Sequence, residues 1–475
     1  MKKIMPVILI AFFILSQTTA FAQDEAAVKA PEKDQKAVEV KSDKTAEPAA
    51  EKKARTLDEI GKYIEFSAMI QSLFVYKNDS DFDDTPKMND TEGQSVGYLG
   101  TFFRPQLRLR PIEQLSIYYE AEIGLNLWSR NDPAQYAGGE DSTFQIAHRE
   151  IYAEGHFVDD LIGFKVGYQK FYDPSGLFLG HWMGAASIIS DPKWAKFTLS
   201  VGQLPDQTYE GVTLDSNNFK HDTMVYGLRV DIPAYSWMNT IAFYGLHDSQ
   251  FEDRTIDLFA PMFSVSADYQ LVDFGFDIVL QAGKTANKAA GDETNFAWAL
   301  QGWADVDYRG FGFQFNQLVL SADDKHTSPG DVNGGFYYSG KSRSRTLILS
   351  EDEIRDRGGN LDEVIGTAEG QFYVMRPGLS LTDVAFSYNV KDIFVPTLIM
   401  GAGFVLESDN AYRGKMLGIE ADIDFEFRYK DLLSCHLIAG LLAPGVGSAA
   451  FANDQGDREE TNMMYMFETS LQVFF

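Results

Sequence analysis

The sequence predicts an all-β fold, a transmembrane antiparallel β-barrel, and three observations lead there. First, the chain ends in MMYMFETSLQVFF. Counting back in twos from Phe475 gives Val473, Leu471, Thr469, Phe467, Tyr465 and Met463, while Gln472, Ser470 and Glu468 take the other parity. Side chains alternate across a strand, so this segment is apolar on one face and mostly polar on the other. Second, Leu417, Ile419, Ala421, Ile423, Phe425, Phe427 and Tyr429 alternate with Gly418, Glu420, Asp422, Asp424, Glu426 and Arg428. Four carboxylates on one face cannot enter hydrocarbon, which sets them toward a wet interior. Third, the chain begins like an exported protein.

Lys2 and Lys3 form a positive start, Ile4 to Leu15 an apolar run, and Ala20-Phe21-Ala22 a small-residue cleavage site. Together they describe a signal peptide over residues 1–22. Without a Cys at the cleavage point no lipid anchor is expected, and the apolar run is too short for a permanent span. Residues 23–58 are rich in Ala, Lys, Glu and Pro and almost devoid of large apolar side chains. They cannot bury enough surface to offset ordering entropy, so a disordered periplasmic linker is expected, with a peptidoglycan or partner tether as the functional alternative. The barrel is expected over 59–475.

Composition agrees. The chain of 475 residues is 45% apolar, as suits strands that are apolar on one face only. Its formal charge of −28 argues against a nucleic-acid partner, whose phosphates need a basic footprint. One cysteine, Cys435, allows no internal disulfide and is read as a small lipid-facing residue.

Taken in order, alternating runs recur from Tyr63 onward. Phe103, Pro105, Leu107 and Leu109 oppose Arg104, Gln106, Arg108 and Arg110, and the run from Leu115 to Leu127 opposes Ser116, Tyr118, Glu120, Glu122 and Asn126. Phe296, Trp298, Leu300, Ala304, Val306 and Tyr308 oppose Gln301, Asp305 and Asp307. Tyr63, Tyr76, Trp298 and Tyr308 suit aromatic girdles at the two interfaces. Parity is least clean at His148 to Tyr152, where Arg149 falls on the face of Ile151; a bulge or a near-interface position would account for it.

Short turns are expected near Pro111–Gln114, Val158–Asp160, Asp191–Lys193, Pro233–Trp237, Gln270–Asp273, Arg309–Gly310, Lys391–Pro396 and Lys430–Leu432. Longer connections lie between them, and the alternation holds only if the weak stretch Leu177 to Ser190 contains a strand. That gives about eighteen strands, or sixteen if one pair is miscounted, a size that leaves a water-filled lumen. The longest connection, 322–378, exceeds passive loop lengths. Folding inward as a constriction and standing outside as a mobile loop both remain open.

The segments HREIYAEGHF (148–157), IGFKVGYQKFYDPSGLFLG (162–180) and LGIEADIDFEFRYKDLLSCHLIAGLLAPG (417–445), read together, resemble the alginate-export family of outer-membrane barrels, which are eighteen-stranded. That resemblance implies a basic lumen attracting a polyanion and loops that gate it. The sequence departs from it. Arg104, Arg108, Arg110, Lys165 and Arg229 are candidate inward cations, but Glu65, Glu120, Glu122, Asp268, Asp277, Asp305, Asp307, Glu420, Asp422, Asp424 and Glu426 would share the lumen.

Two functions of different class stand. One is a bacterial outer-membrane channel, porin-like, for passive passage of a hydrophilic solute or exported polysaccharide. Its expected contacts are Arg104, Arg108, Arg110 and Lys165 for anionic groups, then Glu120, Glu122, Asp305, Asp307, Glu420, Asp422, Asp424 and Glu426. The other is a non-transporting barrel with a plugged lumen and acidic loops that bind a partner at the surface. The expected partners are outer-membrane lipid and lipopolysaccharide, and the barrel-assembly machinery through the C-terminal strand, with Phe475 as the assembly signal. Monomer and trimer stay equally open.

Catalysis is not expected. His148, His156, His181, His221, His247, His326 and His436 show no metal-ligand spacing and no nucleophile partner. Asp79, Asp81 and Asp83 suggest calcium, but the loop lacks the Gly and closing Glu of a calcium-binding turn. No metal and no cofactor is expected.

Overall fold

The alternating runs pair edge to edge because an amphipathic strand buries neither its backbone nor its apolar face alone. In the computed structural model, eighteen long antiparallel strands close on themselves. The structure describes residues 63–78, 96–124, 146–158, 160–204, 223–251, 254–287, 291–323, 332–350, 367–369, 372–407, 415–445 and 463–475. All lie within one compact unit, Thr56–Phe475. The signal peptide, the linker and the Asp79–Asp83 loop lie outside the described residues.

The wall starts with β1 (Ile64–Lys77), β2 (Val96–Ile112), β3 (Leu115–Gly124), β4 (Ile146–Phe157), β5 (Ile162–Tyr172) and β6 (Gly180–Ser190). It continues through β7 (Lys196–Leu204), β8 (Thr223–Ala234), β9 (Trp237–Phe251), β10 (Arg254–Tyr269), β11 (Val272–Asn287), β12 (Glu293–Tyr308) and β13 (Phe311–Leu320). Four short strands follow inside the long connection: β14 (Val332–Asn333), β15 (Phe336–Tyr338), β16 (Thr367–Glu369) and β17 (Phe372–Met375). The wall then resumes with β18 (Leu379–Tyr388), β19 (Phe394–Phe404), β20 (Met416–Tyr429), β21 (Leu433–Pro444) and β22 (Met464–Phe474).

Closure comes from β1 and β22, whose register runs from Met69 opposite Phe474 to Lys77 opposite Met466. The final residue completes the seam: the Phe475 amide donates to the Ala68 carbonyl at 2.9 Å, and the Ala68 amide returns to Phe475 at 3.3 Å. No edge remains there to pair with another chain.

All eight expected short turns are present at one rim. Every described non-glycine residue with positive φ sits in one of them: Val158, Asp160, Tyr235, Gln270, Arg309, Lys391, Asp392 and Lys430. Tight hairpins need left-handed positions to match strand twist, which is why polar or short-turn residues cluster here. The strand ends that lead into the longer connections lie at the opposite rim.

The two faces separate as the alternation requires. Ile188, Leu199, Tyr226, Phe243, Phe259, Phe276, Phe296, Leu300, Leu398, Ile419, Ile423 and Phe467 stand exposed on the outer face. Cys435 shares that face, paired with Phe427 and Leu471. Glu420, Asp422 and Asp424 are buried on the inner face. Leu417 departs from its expected parity: the register slips between Gly403 and Phe404, and the bulge turns Leu417 inward beside Leu349.

The apolar core therefore lies inside the barrel. The described parts of connection 322–378 fold inward, and β15, β16 and β17 form a separate small sheet in the lumen. Phe336, Tyr337, Tyr338, Leu347, Ile348, Leu349, Phe372 and Val374 pack with Leu177, Phe178 and Leu179 against Leu258, Met262, Val279, Leu318 and Leu381 of the wall. The strand read in the weak stretch is β6, and Leu177–Leu179 before it belong to a second inward loop.

Candidate functional site

Inward loops leave their backbone amides to be satisfied, and the wall's inner side chains do this. Gln281 on β11 pairs with Tyr337 as a strand would: its Nε2 donates to the Tyr337 carbonyl at 2.6 Å, and its Oε1 accepts the Tyr337 amide at 2.9 Å. Gln301 on β12 accepts the Arg343 amide at 2.9 Å and donates to the Ser175 carbonyl at 3.3 Å. The Arg343 guanidinium lies 3.7 Å over the Trp303 ring. One glutamine thus holds both inward loops.

The acids of β20 hold the tip of the long loop. Asp422 accepts the Leu347 amide at 3.0 Å, and Glu420 accepts those of Ile348 and Leu349 at 2.6 and 2.7 Å. These three amides open a turn closed by the Ser350 hydroxyl on the Thr346 carbonyl at 2.6 Å. Free amides at the start of a turn attract carboxylates as a helix N-terminus does. Glu420 and Asp422 face the lumen as expected but lie beneath the loop, bound to it rather than open to a solute. Asp424 and Glu426 continue toward the short-turn rim, flanking His436 at 3.2 and 3.6 Å.

The shorter inward loop is organised by Asp173. Its Oδ1 accepts from the Ser175 amide and hydroxyl and the Gly176 amide, and its Oδ2 accepts the Leu179 amide at 2.7 Å. Burial holds the Asp173 carboxyl above its ordinary range, with these hydrogen bonds offsetting only part of the rise. The two loops then join through backbone: Ser339, Gly340 and Lys341 donate to the carbonyls of Phe178, Leu177 and Gly176. The shorter loop's Asp-Pro-Ser-Gly start (173–176) marks a turn in the sequence, but nothing local says that Leu177–Leu179 enter the lumen.

The loops pack with the inner face from β6 to β13 and from β18 to β22. Asp277, Gln281, Asn295, Gln301, Asp383, Glu420, Asp422 and Glu468 are all buried there. Toward the short-turn rim, the inner face of β1 to β5 stays half-exposed. Arg104 meets Glu122 at 2.5 Å, Arg108 meets Glu154 at 4.0 Å, and Arg110 pairs with Glu65 at 2.9 Å. Gln106 and Tyr118 donate to Glu120 at 3.0 and 2.6 Å. Lys165 lies 3.8 Å over the Tyr152 ring, and Arg108 lies 5.6 Å over Tyr118.

Asp305 and Asp307 occupy the inner face of β12, with Asp305 opposite Gln314 and Asp307 exposed near the Arg309–Gly310 turn. They stand apart from the β1–β5 wall. Of the expected contacts, the fold brings together Arg104, Arg108, Lys165, Glu120 and Glu122, sets Arg110 at the rim, and removes Glu420 and Asp422 beneath a loop.

Sequence reading left Arg149 out of the site. The register of β3 against β4 skips it, pairing Glu120 with Glu150 and Ala121 with His148, so Arg149 bulges. It reaches Glu122 at 2.6 Å, making that carboxylate the meeting point of two guanidinium groups. Their side chains are 29% and 26% exposed against 10% for Glu122. Beyond this point β4 and β5 part: their pairing stops at Ile151 with Tyr168, and Glu150 bridges the gap by accepting the Lys170 amide at 3.0 Å. Broken parity in the sequence was the signal for this bulge.

No family model and no curated protein matches the chain. Solved structures do. OccK9 (OpdG) of Pseudomonas aeruginosa matches with a TM-score of 0.54 at 11% identity, over 87% of this chain and 98% of its own. OccAB3 of Acinetobacter baumannii gives 0.54 at 8% identity, over 87% and 99%. A BenF-like porin from Pseudomonas fluorescens Pf-5 gives 0.51 at 10% identity, over 87% and 98%. The resemblance to alginate-export barrels finds no support in these matches. At such identities the likeness is one of fold, an 18-stranded antiparallel barrel of the architecture seen in these porins.

Proposed function

We propose that the chain is a passive outer-membrane channel for small hydrophilic solutes that carry an anionic group. The exposed outer belt of apolar side chains calls for a hydrocarbon surround, and the short-turn rim, where the described chain begins and ends, faces the periplasm. The barrel-assembly machinery engages the C-terminal strand through Phe475. Solute moves down its own gradient along the half-exposed wall of β1 to β5, with no covalent step.

The observation that carries this reading is the Glu122 meeting point. The two arginines are more exposed than the carboxylate between them, so the charge offered to a passing solute is positive. Each glutamate on this wall is engaged by neighbours, while Lys165 and Arg108 lie over aromatic rings. Small size follows from the inward loops, whose buried packing takes much of the lumen, and this weighs against an exported polysaccharide.

The same packing favours a second reading, a plugged barrel that binds partners at its surface. Liposome swelling separates them. Proteoliposomes should swell faster in gluconate than in glucose or glucosamine, and Arg104→Gln with Arg149→Gln should erase that order. Absence of swelling with every solute supports the plugged barrel.

A further inference from the structure

We propose that the short-turn rim carries a binding site for a compact oxyanion, a carboxylate or phosphate group, between the β6–β7 turn and the ends of β8 and β9. A cavity of about 350 Å³ opens there, lined by Lys193, Lys196, Arg229, Asp191, Asp231 and Met238 among others. Register puts Lys196 opposite Asp231 and Met238 opposite Pro233. Arg229 and Asp231 share the inner face with Thr240, so the cavity faces the lumen rather than the outer belt.

The cations are set for a ligand. Arg229 Nε lies 2.8 and 2.9 Å from the two Asp231 oxygens, and the Thr240 hydroxyl donates to Asp231 at 2.6 Å. That carboxylate is therefore occupied. It holds the guanidinium by its Nε, leaving the two terminal nitrogens to a bidentate acceptor, and a side chain already fixed loses little freedom on binding. Lys193 on the turn and Lys196 at the start of β7 are exposed, and the turn is itself tied down: the Ala195 amide donates to Pro192 at 3.1 Å and the Asp191 amide to Leu161 at 2.9 Å. A planar fork flanked by two point charges suits an oxyanion, and Met238 suits the methylene next to it.

Naming this the exit of a channel rests on the function proposed above; the binding does not, and it is measured without flux. Trp194 lies in the same turn, exposed, with its ring edge-on to Phe197 at 5.4 Å. The full chain in detergent is titrated with inorganic phosphate and, separately, with acetate, ionic strength being held with sodium chloride. The signal is the fluorescence difference between wild type and Trp194→Phe. A saturable change is expected with at least one of the two anions, and which anion saturates tells carboxylate from phosphate. Half-saturation should weaken about tenfold in Lys193→Gln/Lys196→Gln, whose folded state is verified by its heat-modifiable gel band. No saturable change with either anion, or equal half-saturation in that variant, overturns the proposal. A chain that binds anions yet passes no solute would sink the channel reading alone.

Discussion

The Ile348 amide donates to the Glu420 carboxylate at 2.6 Å, and this contact fixes a buried turn of a long inward loop to the wall of the barrel. The second oxygen of the same carboxylate takes the Leu349 amide. Glu420→Gln would set an amide NH2 against one of these two donors. Leaving a buried donor unsatisfied costs roughly 1–3 kcal/mol. The loop tip should loosen, and single-channel currents should show more open-state noise than wild type. Unchanged noise would mean that apolar packing alone holds the tip.

Asp173 does for the shorter loop what Glu420 does for the longer one. Asp173→Ala removes the acceptor of the Ser175, Gly176 and Leu179 amides at once. Hydrogen exchange should accelerate at those three amides and, because the loops are joined, at Ser339, Gly340 and Lys341. Acceleration confined to the first three would show that the loops are held independently.

Gly167 has φ of 137°, and a Cβ there would lie 2.3 Å from the Ile151 carbonyl and 2.6 Å from the Tyr152 Cα. Both obstacles are backbone. Gly167→Ala should destabilise the junction of β4 and β5 by roughly 1–3 kcal/mol, the cost of a strained backbone position. The temperature at which the folded gel band disappears should fall; an unchanged temperature contradicts this geometry.

Phe475 joins its backbone to Ala68, while its ring is exposed on the outer face. Phe475→Ala keeps the backbone seam and removes only the ring. Folded yield in the outer membrane should drop while refolding into detergent micelles stays near wild type. Equal membrane yields would remove the ring's role as an assembly signal.

The barrel was legible because its determinant is local: a period of two repeated along each strand, with short polar turns between. Arg149 shows the limit of that signal, since broken parity announced a bulge but not that the bulge would carry Arg149 to Glu122. Leu417 shows the same limit, its parity altered by a slip that only the partner strand β19 reveals. For the long loop the sequence left inward and outward readings open, and for the shorter loop it offered no inward reading, for a different reason. What draws them in is a set of side chains far away in sequence, Gln281, Gln301, Glu420 and Asp422, whose inward polarity looked like that of any lumen residue. A glutamine that binds a loop and one that lines water are the same letter until the loop's amides arrive.

An open aqueous path along β1 to β5, beside the inward loops, would conduct ions, and planar-bilayer recording of the purified chain reads that conduction. Discrete current steps are expected with a reversal potential, in a potassium chloride gradient, on the anion-selective side, moving toward cation selectivity in Arg104→Gln/Arg149→Gln. A correctly folded barrel that inserts and stays electrically silent would contradict it.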